Sequence, residues 1–148
     1  MLSSRRTTSS LRRYPDERLF LLPYNDKMRI EYELRCFARP GGKLVAISQY
    51  RWHQACAFAS GGEEQLYLIY KAVEDVLERL KATPMWEDLM EDGFIFDCLW
   101  DPNTRTCSLI ELNPFGPMSS TGAALFNWIE DGQIIGGEHD KVVFRYCA

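Results

Sequence analysis

Histidine is nearly missing from this chain. Its 148 residues hold two, His53 and His139, and none of the five cysteines is spaced as CxxC. A zinc site of the common Cys/His kind is therefore not expected. An excess of basic charge is missing too. Seventeen Lys and Arg stand against 21 Asp and Glu, for a net charge of −4 and a pI near 5.2. A nucleic-acid partner, which calls for a basic field, is not expected. No apolar run approaches the ~20 residues that span a bilayer. The longest charge-free stretch, residues 112–129, is broken by Pro114, Gly116, Pro117 and Gly122, so no membrane partner is expected. No glycine-rich phosphate loop occurs, because Gly41-Gly42 and Gly136-Gly137 are isolated pairs that read as turns. Ser-His-Asp and Cys-His catalysis leave no signature beyond the residue types.

What is present fits one globular domain. Hydrophobic residues make up 46% and charged residues 26%, and a chain of this size buries a core without staples. The odd number of widely spaced cysteines reads as reduced, mostly buried thiols in a cytosolic or nuclear protein. Residues 1–17 read as a disordered Arg/Ser-rich tail. Its first thirteen residues carry Arg5, Arg6, Arg12 and Arg13 and no acid, a composition shared with mitochondrial transit peptides. Residues 18–148 form the folded domain. RLFLLPY is a short apolar run. In IEYELRCFA, residues Ile30, Tyr32, Leu34, Cys36 and Ala38 share one face and Glu31, Glu33, Arg35 and Phe37 the other. Pro40-Gly41-Gly42 and KLVAISQ complete a β-hairpin. Ser60 and Glu63 have capping-box spacing ahead of a helix over residues 63–81. In that helix Leu66, Ile69, Tyr70, Val73, Val76, Leu77 and Leu80 recur at three- and four-residue steps. PMWEDLM reads as a helical turn. GFIFDCLW and RTCSLIELNPFG form a second hairpin, ALFNWI a short helix and KVVFRY a last strand. The fold class is α+β, with a mainly antiparallel sheet and packed helices.

One group of residues stands out. Asp97 lies mid-strand among apolar neighbours, where a carboxylate is costly unless paired. Glu111 and Asn113, two apart on the next strand, point to one face. Asp97 meets Glu111 across the hairpin if the connection holds an odd number of residues, such as residues 102–106, or if a bulge intervenes. Two carboxylates and an amide oxygen then converge, a hard-oxygen set suited to Mg²⁺. The bland alternative is an ion pair between Asp97 and Arg35.

Three segments carry a family resemblance: ELRCFARPGGKLVAISQYRW, GFIFDCLWDPNTRTCSLIELNPFG and ALFNW. In order and spacing they resemble blocks of the cell division cycle protein 123 family, from about residue 18 onward. The resemblance implies the C-terminal lobe of an ATP-grasp fold. It also implies an assembly chaperone that binds a subunit of eukaryotic translation initiation factor 2 in the cytoplasm and is not an enzyme. It places Asp97, Glu111 and Asn113 at the metal positions and Arg35 at the phosphate-facing arginine. Glu111 stands where the family has Asp, Leu22-Pro23-Tyr24 replaces a basic stretch, and the loop after NPFG is longer and lacks an acid. The resemblance begins part-way into the family, without the lobe that supplies phosphate-binding lysines. ATP and Mg²⁺ are therefore expected to bind weakly or not at all. The open alternatives are a fragment of an ATP-grasp carboxylate ligase and a family remnant without activity. With its partner lobe missing, the face bearing Phe37, Ile95 and Leu99 is expected to stand partly open, unless the tail or residues 136–148 fold over it.

Overall fold

The computed structural model describes residues 28–118 and 122–147. The expected tail and the apolar run at residues 18–24 lie outside the described residues. After a single 3-10 turn (Ile30–Tyr32), strands β1 (Glu33–Arg39) and β2 (Lys43–Gln49) form the first hairpin. The turn between them is closed at Gly42, whose φ is +71° and against whose Cα the Trp86 ring packs, so any side chain there would be strained and would meet the indole. Helix α1 (Gly62–Lys81) follows, then α2 (Trp86–Asp92). Next come β3 (Phe94–Asp101), β4 (Thr106–Pro114), the single turn α3 (Gly132–Ile135) and β5 (Val143–Arg145). The sheet order is β4-β3-β1-β2-β5. All pairings are antiparallel except β5, which joins β2 in parallel. No described helix is long and apolar enough to cross a membrane.

Helix α1 owes its place to its apolar stripe. Ile69, Val73, Val76, Leu77 and Leu80 are buried against Leu34, Cys36, Ile47, Phe94, Phe96, Cys98 and Trp100 of the sheet. Its first turn carries Glu63 and Glu64 and its last turn Arg79 and Lys81, charges that complement the helix dipole. The expected Ser60–Glu63 capping box does not form. Ser60 belongs to a 3-10 turn (Ala59–Gly61), Gly61 is the N-cap, and no side chain caps it. That shift puts Glu63 one position too early to reach back.

The opposite sheet face corrects two expectations. Phe37 and Ile95 are fully buried, not open, under Phe126 and Ile135, with Phe115 and Trp128 packed at the margin, whereas Leu99, the third residue of that face, is half-buried. Among the described residues the cover comes from Phe115 and from residues 123–135, with Val143 of β5 packed beside them; the tail lies outside the described residues. ALFNWI is not a helix. Ala124 has φ +53°, and the Asn127 side-chain oxygen accepts hydrogen bonds from the Ile129 and Glu130 amides, a local alternative to helical bonding. Phe126 and Trp128, two residues apart, both contact the Phe37 ring, at 5.5 and 5.9 Å between centroids. That spacing belongs to extended chain.

Candidate functional site: an arginine among carboxylates on the sheet

The site lies across three neighbouring strands. Arg35 of β1 stands opposite Asp97 of β3, and Asp97 opposite Glu111 of β4. The connection between β3 and β4 holds an even number of residues, 102–105, because Asp101 pairs with Thr106. Parity alone would therefore leave Asp97 opposite Ile110. A bulge restores the match: Cys98 pairs with Leu109 and Asp97 with Glu111, which leaves Ile110 as the extra residue. Glu111 and Asn113 thus share the Asp97 face, and Asn113 Nδ2 donates to Glu111 Oε1 at 2.9 Å.

Arg35 and Asp97 form a two-pronged ion pair. Arg35 Nε donates to Asp97 Oδ1 at 2.9 Å and Nη2 to Oδ2 at 2.7 Å. Arg35 is 5% exposed and Asp97 fully buried. Nη1 donates to the Gly122 carbonyl at 2.5 Å, and the guanidinium lies 4.7 Å from the centre of the Tyr50 ring. Burial works against the Arg35 charge, but the hydrogen bonds and charge of Asp97 outweigh it and hold the guanidinium above its usual range. Burial pushes the Asp97 carboxyl up; Arg35 pulls it down, and Glu111 beside it pushes it up again, with a net rise.

Glu33, two residues before Arg35 on β1, belongs to the same group. Burial, then Asp97, then Glu111 raise its pKa to about 7, while Arg35 acts to lower it. The face therefore gathers three carboxyl groups around one guanidinium, more negative charge than Arg35 neutralises. The alternation of β1 already put Glu33 and Arg35 on one face, which is the signal that could have found it. Among the described residues, no three His, Cys, Asp or Glu side chains are arranged to hold a metal ion. Counting Asn113, the donors present are hard oxygens. The Asp97 oxygens keep further lone pairs after accepting from Arg35, so in kind the set fits Mg²⁺. Beside the pair opens a cleft of about 480 Å³, lined by Arg35, Tyr50, Arg51, Trp52, His53 and Gly122 among others.

No curated protein matches the chain. Cdc123 from Schizosaccharomyces pombe, solved in a C-terminally truncated form, is similar to it at 25% identity with a TM-score of 0.62. That likeness covers 82% of this chain and 42% of the other. A second structure of Cdc123 from the same organism matches at 24% identity and a TM-score of 0.59, over 79% of this chain and 41% of that one. The chain thus spans about two-fifths of the solved structures that it resembles. The five-stranded α+β architecture matches those structures and is consistent with an ATP-grasp-like fold. The sequence profile of the D123 family matches residues 3–147, nearly the whole sequence, and the chain belongs to that family, the family of Cdc123.

Proposed function

We propose that the chain is an assembly-chaperone-like binding module that engages a subunit of eukaryotic translation initiation factor 2 in the cytoplasm and catalyses no reaction. The observation that carries this reading is membership of the D123 family across residues 3–147. On the same reading, the face of Arg35, Asp97, Glu111 and Asn113 is a degenerate ATP·Mg²⁺ site. Asp97, Glu111 and Asn113 would hold the ion and Arg35 the phosphates. Bound Mg²⁺ would neutralise phosphate charge. The carboxyl-rich surroundings of Glu33, Asp97 and Glu111 favour a cation. Phosphoryl transfer is disfavoured because the guanidinium that would stabilise a developing phosphoryl charge is already neutralised by a two-pronged carboxylate. Two experiments test the two parts. Pull-down with each purified factor subunit should recover one of them, and recovery of none would reject the partner. Thermal melting with millimolar ATP and Mg²⁺ should shift little, since ligand at 100 times its Kd would stabilise the fold by about 2.7 kcal/mol. A large shift that Asp97→Ala abolishes would show a working nucleotide site instead.

A further inference from the structure

Two cysteines meet at the β5 edge of the sheet. The Cys56 amide donates to the Cys147 carbonyl at 2.9 Å. Both thiols are free and half-buried, whereas Cys36, Cys98 and Cys107 are buried in the core. That backbone bond sets the two residues side by side, and a disulfide bridges Cα atoms up to about 7 Å apart. Gln49, 3% exposed, ties the neighbourhood together. Its Nε2 donates to the carbonyls of Arg51 and Gln54 at 2.6 and 2.7 Å, and its Oε1 accepts from the Cys147 amide at 2.7 Å. Cys147 Sγ donates to the Trp52 carbonyl at 3.2 Å. The chain after β5 is thus fastened to the loop that supplies Tyr50, Arg51, Trp52 and His53 to the cleft beside Arg35.

We propose that Cys56 and Cys147 are a redox latch: under oxidising conditions they close a reversible disulfide that locks the end of β5 onto the cleft-lining loop. Burial pushes the Cys56 thiol up, and the nearby Cys147 adds to the rise against the lowering contributions of the Phe58 and Ala59 backbone. In the proposed sequence Cys147 is the attacking thiol, its Sγ lying at the surface against the Trp52 carbonyl. The oxidant is a small disulfide such as oxidised glutathione. The Cys147 thiolate attacks one of its sulfurs, an S–S bond breaks, and one glutathione thiolate leaves. The Cys56 thiolate then attacks the Cys147 sulfur of the mixed disulfide, and the second glutathione thiolate leaves. The protein loses two electrons and two thiol protons, and glutathione disulfide becomes two thiols. On closure Cys147 Sγ gives up its bond to the Trp52 carbonyl, so the latch acts on a loop of the cleft and on the hold of β5.

The test uses the full chain equilibrated in glutathione buffers of graded ratio, acid-quenched, alkylated and mapped by mass spectrometry without reduction. The expected result is a Cys56–Cys147 linked peptide, a loss of two hydrogens from the intact mass, and full reversal by dithiothreitol. Cys56→Ser should stop at a glutathionyl group on Cys147. The proposal is overturned if the wild-type chain stops at that same adduct, if both thiols stay free at the most oxidising ratio, or if either pairs with Cys36, Cys98 or Cys107.

Discussion

A strand carboxyl with a pKa near 7 makes the stability of this fold depend on pH in a direction opposite to the usual one for acids. Glu33 rises from its ordinary 4.5 to about 7, first through burial and then through Asp97 and Glu111. The folded state therefore holds the Glu33 proton more tightly than the unfolded chain does. Its contribution is fully present below about pH 4.5 and is lost as pH rises through 7. Melting temperature should fall more steeply between these limits in the wild type than in Glu33→Gln, and parallel curves would contradict this. The Arg35–Asp97 pair makes a second prediction. Asp97→Ala strands a buried guanidinium and should cost about 3–5 kcal/mol in urea unfolding. Replacing both partners by Met and Leu should cost clearly less, because no charge is then left buried alone. Asp97 was legible in the sequence as a mid-strand acid that needs a partner, with Arg35 as the available cation. The place of Glu33 on the Arg35 face was legible in the alternation of β1, but its raised pKa was not. Its shift arises only when β3 and β4 set two more carboxylates beside it.

Among the elements, α1 and the two hairpins were legible because their periods are unbroken over many residues. The stripe of α1 allows a direct check. Ile69→Ala, at a fully buried position, should destabilise by about 2–5 kcal/mol. Tyr67→Ala, at an exposed one, should stay within about 0.5 kcal/mol. Equal effects would mean that the helix packs on another face. Strand register was legible only in part. Parity stated the condition for Asp97 to meet Glu111, but the choice between a longer loop and a bulge at Ile110 depends on how β4 twists along β3. The segment of residues 124–128 misled because its apolar residues suit a helix by composition. Its course is decided instead by Asn127 and Asp131, whose side chains take the Asn127, Ile129 and Glu130 amides, and by Arg145, which grips Asp131 with two bonds of 2.6 Å.

At the scale of the whole molecule, the sheet is sandwiched between α1 on one face and a returning irregular segment on the other. The family resemblance made a missing partner lobe the obvious reason for an open face. The length of chain after β4 turns out to supply Phe115, Phe126, Trp128 and Ile135 as its cover. Sequence periodicity could not reveal this, because the covering segment has no regular period. Phe126→Ala should remove about 3–5 kcal/mol and convert a chain that binds little of the hydrophobic dye ANS into one that binds it strongly; strong binding by the wild type would contradict the cover. The proposed role of the molecule is that of a binding module. Isothermal titration of the chain into each purified subunit of eukaryotic translation initiation factor 2 tests it most directly. One-to-one binding to one subunit is expected, with a Kd of about 1 μM or tighter, unchanged when ATP and Mg²⁺ are added. Absence of heat with every subunit, from a chain whose melting curve shows it folded, would contradict it.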